Sequence, residues 1–168
     1  MKNFFKVLVC AAMIFSFSSC NVSAAISDVS EDNILTFMTK CNQELKKGDP
    51  NNSLDTPALQ NTYKIYEDTL QVTENIQAKF ICRTRDDKVY TIRLKTETFN
   101  DEVKNFYEGM SIIFLKALGL TDEDSRELAK SNDTTAWQNE KFIPALNKTF
   151  KVKVADSELV IFASDKQN

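Results

Sequence analysis

IQAKFICRTRDDKVYTIRLK, residues 76–95, is the stretch on which the fold turns. Apolar residues recur at every second position in its first half, Ile76, Ala78, Phe80 and Cys82, and again in its second, Tyr90, Ile92 and Leu94. A period of two belongs to a strand with one buried face, so the stretch reads as two antiparallel strands, 76–84 and 88–95. Parity then sets the register. A two-residue turn at Asp86-Asp87 would face Cys82 with Thr91 and Phe80 with Arg93, mixing core and solvent faces. A three-residue turn, Arg85 to Asp87, faces Cys82 with Tyr90 and Phe80 with Ile92, and is therefore expected. The outer face then carries Lys79, Arg83, Arg93 and Lys95, with Lys79 directly opposite Arg93. Like charges so placed weaken a sheet. Either acids of the preceding strand, such as Glu67 or Asp68, neutralise them on a solvated face, or the four form a docking surface for an acidic partner.

Upstream, Tyr63 to Val72 is a further β-rich segment that completes a meander. Before it, Ser30 followed by Glu31 and Asp32 reads as a helix N-cap, and Ile34, Met38, Cys41 and Leu45 carry a helical stripe to Lys46 or Lys47. Gly48, Pro50 and Pro57 then mark a long polar loop. Downstream, a helix opens at Thr98 to Asn100 and runs through Val103, Phe106, Tyr107, Met110, Ile113, Phe114, Ala117 and Leu118 to a stop at Gly119. Gly109 inside it costs about 1 kcal/mol against alanine and is read as a point of close helix-sheet packing. Thr121 with Asp124 resembles a capping box and starts a short helix to Lys130. Thr135 to Asn147, with Trp137, Phe142, Ile143 and Leu146, reads as a third helical piece confined by Pro144. The chain closes with a hairpin, 149–155 and 158–164, around Asp156-Ser157. It sets Phe150, Val152 and Val154 beside Leu159, Ile161 and Ala163, with Lys151 and Lys153 on the other side. The order α-βββ-ααα-ββ defines an α+β fold, an antiparallel sheet of about five strands with helices packed on one face.

The first two dozen residues differ in kind. Lys2 and Lys6 precede an almost wholly apolar run from Val7 to Phe17, and no acid occurs before Asp28. This resembles a bacterial secretion signal. Phe17-Ser18-Ser19-Cys20 resembles a lipobox, with Phe17 where leucine is usual, and would make Cys20 the lipidated N-terminus. Val22-Ser23-Ala24 is the competing site and would release a soluble chain from Ala25. The expected organisation is a signal peptide over 1–24, or 1–19 if Cys20 is lipidated, and one α+β domain over 25–168. The address is then the outer or cytoplasmic membrane, or the periplasm or exterior. Any membrane contact would come through the lipid at Cys20, since no later apolar run reaches the roughly 20 residues of a membrane-spanning helix.

Loss of Lys2 and Lys6 takes the 21 basic residues to 19 against 24 acidic ones, a formal net charge of −5. That balance argues against nucleic acid as a partner. Cys41 and Cys82 remain, and an even pair in an oxidising compartment points to a disulfide, whose loop of about 40 residues would be worth roughly 4 kcal/mol. Two buried thiols are the other reading, because both cysteines fall on core faces.

The chain has no histidine, which removes His-based triads, Cys-His dyads and His-ligated zinc. There is no Ser-x-x-Lys and no Cys-x-x-Cys. Three glycines, Gly48, Gly109 and Gly119, cannot write a P-loop or a dinucleotide fingerprint. Asp122, Glu123 and Asp124 form the densest acidic cluster and read as helix-start acids favoured by the dipole. The aromatic stripe Phe99, Phe106, Tyr107 and Phe114 reads as core. With no cofactor implied, we expect an exported non-enzymatic protein, a cell-envelope lipoprotein or periplasmic protein binding another protein or envelope component. The alternative is a carrier of a small apolar ligand, with a cavity between the 100–118 helix and the sheet. A carboxylate enzyme would need two acids converging in one cleft.

Overall fold

Alternation in residues 76–95 does make a hairpin, and around it the computed structural model describes residues 26–48, 50, 51, 53–55, 58, 59, 64–131 and 136–165. The signal segment with Cys20 lies outside the described residues. In chain order the elements are β1 (Ile26–Ser27), α1 (Ile34–Gly48), β2 (Ala58–Leu59), β3 (Ile65–Thr73), β4 (Ile76–Arg85), β5 (Lys88–Lys95), α2 (Asp101–Ala117), α3 (Asp122–Ala129), β6 (Trp137–Ile143), β7 (Lys148–Ala155) and β8 (Glu158–Asp165). The strands form one antiparallel sheet in the order β2-β3-β4-β5-β8-β7-β6, with β1 added beside β8. The class is the expected α+β. The sheet has eight strands rather than about five, because β1 and β2 are too short to show a period and β6 lacks the period of two that marks a strand.

The β4–β5 turn is a correction. Asp86 and Asp87 both have positive φ, 48° and 64°, and Arg85 pairs with Lys88, so the turn has two residues. Both φ values suit the mirror-image turn whose twist matches a hairpin. Parity is restored by a bulge: Thr84 pairs with Val89, Arg83 pairs with Thr91, and Tyr90 is the extra residue. Cys82 therefore faces Ile92 and Phe80 faces Leu94. The β7–β8 hairpin has the two-residue turn and the pairs expected, Phe150 with Ala163, Val152 with Ile161 and Val154 with Leu159. β5 joins β8 through four pairs, from Ile92↔Ile161 to Lys95↔Glu158, and so welds the two halves of the chain.

Helices cover the face formed by these apolar pairs. Phe114 of α2 lies 6.0 Å from Phe37 of α1 and 5.6 Å from Phe80 of β4, ring centre to ring centre, and all three are buried. Asn100 caps α2, its side chain accepting from the Val103 N–H. At the other end Gly119, at φ 97°, lets the Leu120 N–H reach the Leu115 carbonyl at 3.1 Å while Leu120 is buried. That is the left-handed stop expected for a glycine after a helix. Gly109 does not mark a close approach: its surface is exposed, and a Cβ there would meet nothing within 4 Å.

Three further expectations are corrected. α1 begins at Ile34, and its cap is Asn33, whose Oδ1 accepts from the Thr36 N–H at 2.9 Å; Ser30 instead accepts from Asp32. Residues 137–143 are an edge strand paired along its length with β7, followed by a single 3-10 turn, Pro144–Leu146. Its inward positions include Asn139 and Lys141, which serve α3 rather than an apolar core. Asn139 donates to the carbonyls of Leu128 and Lys130, and Lys141 pairs with Asp124 at 2.8 Å and with Glu127. Those polar residues hide the period of two. Finally, Cys41 and Cys82 are two free buried thiols instead of a bridge. Burial raises the Cys41 thiol, with Cys82 adding to it, and burial pushes Cys82 up to about 12. Both stay protonated and unreactive at neutral pH.

Candidate functional site

One face of the sheet carries the helices, and no described element covers the opposite face, the open face. Register assigns its residues. β4 places Lys79, Arg83 and Arg85 outward, β5 adds Lys88, Arg93 and Lys95, and β7 adds Lys151 and Lys153. Among the described residues the strands of this face add three carboxylates, Glu67, Glu140 and Glu158, and Asp28 and Glu31 reach Arg85 and Lys88 from the segment before α1, so five of the eight cations have an acid partner and Arg83, Lys95 and Lys153 have none. At its centre lie half-buried apolar side chains, Ile81, Val160 and Phe162. By contrast α2 and α3 carry seven acids against three bases. The chain is acidic as a whole, with formal net charge −3, and the open face runs against that balance.

All four residues expected to form a docking surface, Lys79, Arg83, Arg93 and Lys95, are on this face. Their pairing differs from expectation, because the bulge at Tyr90 shifts the register. Lys79 stands opposite Lys95, not Arg93, and Arg93 stands opposite Ile81. Lys79 is neutralised by Glu67 at 2.8 Å, the acid from the preceding strand, whereas Asp68 accepts from the backbone N–H of Thr69. Arg93 has a looser pair with Glu158 at 3.4 Å. Arg83 and Lys95 have no ion-pair partner among the described residues. The neutralisation that would make this a plain solvated face is thus only half complete.

The face is not flat. A depression of about 690 Å³ at one end of β3, β4 and β5 is lined by Thr69, Gln77, Lys79, Lys95 and Thr96. A second, of about 470 Å³, follows β8 from Glu158 through Val160 to Phe162, with Arg83, Tyr90, Thr91 and Arg93 on one side and Lys153 on the other. Sequence reasoning missed Tyr90 and Thr91 here. It placed Tyr90 in the core by strict alternation, but the bulge turns it to the open face, where the Arg85 guanidinium stacks 4.5 Å from its ring centre. Arg85 is held there by Asp28 at 3.0 Å. No local signal in the sequence marks the bulge; only the conflict between turn chemistry and core parity points to an extra residue.

The acidic cluster on α3 does what helix-start acids do. Thr121 accepts from the Asp124 N–H at 3.1 Å, and Asp122 pairs with Lys116 and Arg126. Arg126 and then Lys116 hold the Asp122 carboxyl below its usual range, and Lys141 does the same for Asp124. Among the described residues no group of three or more Cys, Asp or Glu side chains is arranged to hold a metal ion. No helix among them is long and apolar enough to cross a membrane. Comparison with family models, curated proteins and solved structures finds no match to this chain.

Proposed function

We propose that this is an exported, non-enzymatic binding protein, a cell-envelope lipoprotein or periplasmic protein, that docks an acidic partner protein on the open face of its sheet. The observation that carries the reading is the excess of outward cations around an apolar centre, three of them, Arg83, Lys95 and Lys153, left without an acid among the described residues. Local charge of one sign around an apolar patch gives orientation and specificity toward a complementary partner, and the apolar centre supplies buried area. Docking is preferred to carriage of an apolar ligand because the space beneath α2 is filled by the rings of Phe37, Phe80 and Phe114. The absence of histidine and of nucleophile motifs supports a role without catalysis. Export rests on the leader, residues 1–24, and the mass of the mature chain distinguishes a lipid-bearing start at Cys20 from a free start at Ala25.

Photo-crosslinking in the native host tests the docking face. A photoreactive side chain replacing Lys151 on the open face should capture an acidic protein, and one replacing Glu123 on α3 should not. Charge reversal, Arg93→Glu, should cut that capture at least tenfold. Unchanged capture by Arg93→Glu, or capture from the α3 position alone, overturns the reading.

A further inference from the structure

Resting on that docking reading, we infer that the depression along β8 is an anchor groove for an extended acidic peptide, with one carboxylate held by Arg83, Arg93 and Thr91. Three independent features of the groove converge on this ligand. Its cations are under-used: Arg83 has no ion pair among the described residues, and Arg93 only the 3.4 Å contact with Glu158. Its lining contains a polar group without a partner among the described residues, since Thr91 is 9% exposed and its Oγ1 is buried and unbonded. A hydroxyl left so is a cost to the fold, and an acceptor entering the groove as the side chains over Thr91 turn aside would satisfy it. Its walls are apolar next to those groups, with Phe162, Val160, Tyr90 and the exposed Ile26 lining the same depression.

The arrangement is specific in geometry. Arg83 and Thr91 are direct cross-strand partners, and Arg93 is two residues along β5 on the same side. Two guanidiniums and one hydroxyl thus lie within two residues of one another on one face, a donor set suited to a planar carboxylate once Arg93 leaves its loose contact with Glu158. Glu158 and Asp156 lie at the other end of the groove, by the β7–β8 turn, and would repel a second acid there. The carboxylate is therefore directed to the Arg83 end. From Glu158 to Phe162 the groove spans roughly 13 Å, the length of about four extended residues. A lipid surface fits less well, because a flat array of head groups does not follow a depression lined on both sides by side chains.

The probe is a capped hexapeptide in which glutamate and leucine alternate with serine, so that both project to one side of the extended chain. It is titrated into the isotopically labelled full chain while backbone amide signals are followed. The Thr91 and Val160 signals should shift; the peptide with glutamine for glutamate should bind at least tenfold more weakly. Arg83→Gln should lose tenfold or more, and Thr91→Val, nearly isosteric and compatible with a strand, severalfold. Equal binding of the two peptides, shifts confined to α2 and α3, or an unaltered affinity in Arg83→Gln each overturns the groove. Shifts at Thr91 with phosphatidylglycerol vesicles but not with peptide overturn it in favour of a membrane surface. If crosslinking captures an acidic partner through the open face while the peptide leaves Thr91 undisturbed, the groove fails and the docking reading stands. If neither occurs, both fall.

Discussion

A single glycine shows how a residue can be misread from its neighbours. Gly109 stands in the middle of α2, where its backbone freedom costs about 1 kcal/mol, and a closely packed neighbour would justify the cost. Among the described residues there is none: the position is exposed, and a Cβ would touch nothing within 4 Å. Gly109→Ala should therefore raise the unfolding free energy by about 1 kcal/mol, read from chemical denaturation, with the crosslinking and peptide-binding behaviour unchanged. A loss of stability would mean that the methyl group meets something not seen here. Thr91 illustrates the opposite case. Its buried, unbonded hydroxyl is a cost without structural return, and the groove above it gives the return a place. Neither property was legible in the sequence, where a glycine inside a helix reads as a close approach and Thr91 is one more polar residue in a strand.

Elements were legible where one face met an apolar core and illegible where it met another element's polar groups. β4, β5, β7, β8 and α2 fall within a residue or two of their expected bounds, because each has a strict apolar period and a turn or cap at its end. β6 was missed because Asn139 and Lys141 point inward at α3, and a strand with polar inward positions has no visible period. Lys116 does for the helices what those residues do for the edge. It pairs with Glu44 of α1 at 3.0 Å and with Asp122 of α3 at 3.1 Å, tying three helices at one point. Hydrogen bonds from Lys47 and from Lys116 lower the Glu44 carboxyl, and Arg126 and Lys116 lower that of Asp122. A carboxylate depressed in the folded state stabilises above its unfolded value, and the contribution is lost as pH falls through the folded one. Lys116→Met should therefore lower the melting temperature at about pH 7, and the difference from the native chain should narrow as pH falls below the ordinary carboxylate range and through the lowered values of Glu44 and Asp122. A difference that persists in acid would show that Lys116 acts through its stem packing instead of its charge.

At the scale of the molecule, the sheet turns composition into a surface. The chain's formal net charge of −3 gave no hint of a cationic face; the hint came from register, which collects basic residues of β4, β5 and β7 on one side. Such a face produces an unusual dependence on salt. A partner with acidic groups is repelled at long range by the net charge and attracted at short range by the open face. Screening removes the long-range term first, since the Debye length is about 10 Å at 0.1 M salt and shrinks to about 3 Å at 1 M. Association of the glutamate hexapeptide should thus change little between about 0.02 M and 0.5 M salt, by less than about threefold, as lost attraction is offset by lost repulsion. Dissociation should accelerate over the same range, because the contacts of Arg83 and Arg93 with the carboxylate are weakened once formed. Stopped-flow fluorescence with a labelled peptide separates the two rates. An association rate that falls tenfold or more would mean that the open face steers from a distance and dominates the field of the whole protein; a dissociation rate indifferent to salt would mean that the apolar walls, not the guanidiniums, hold the peptide.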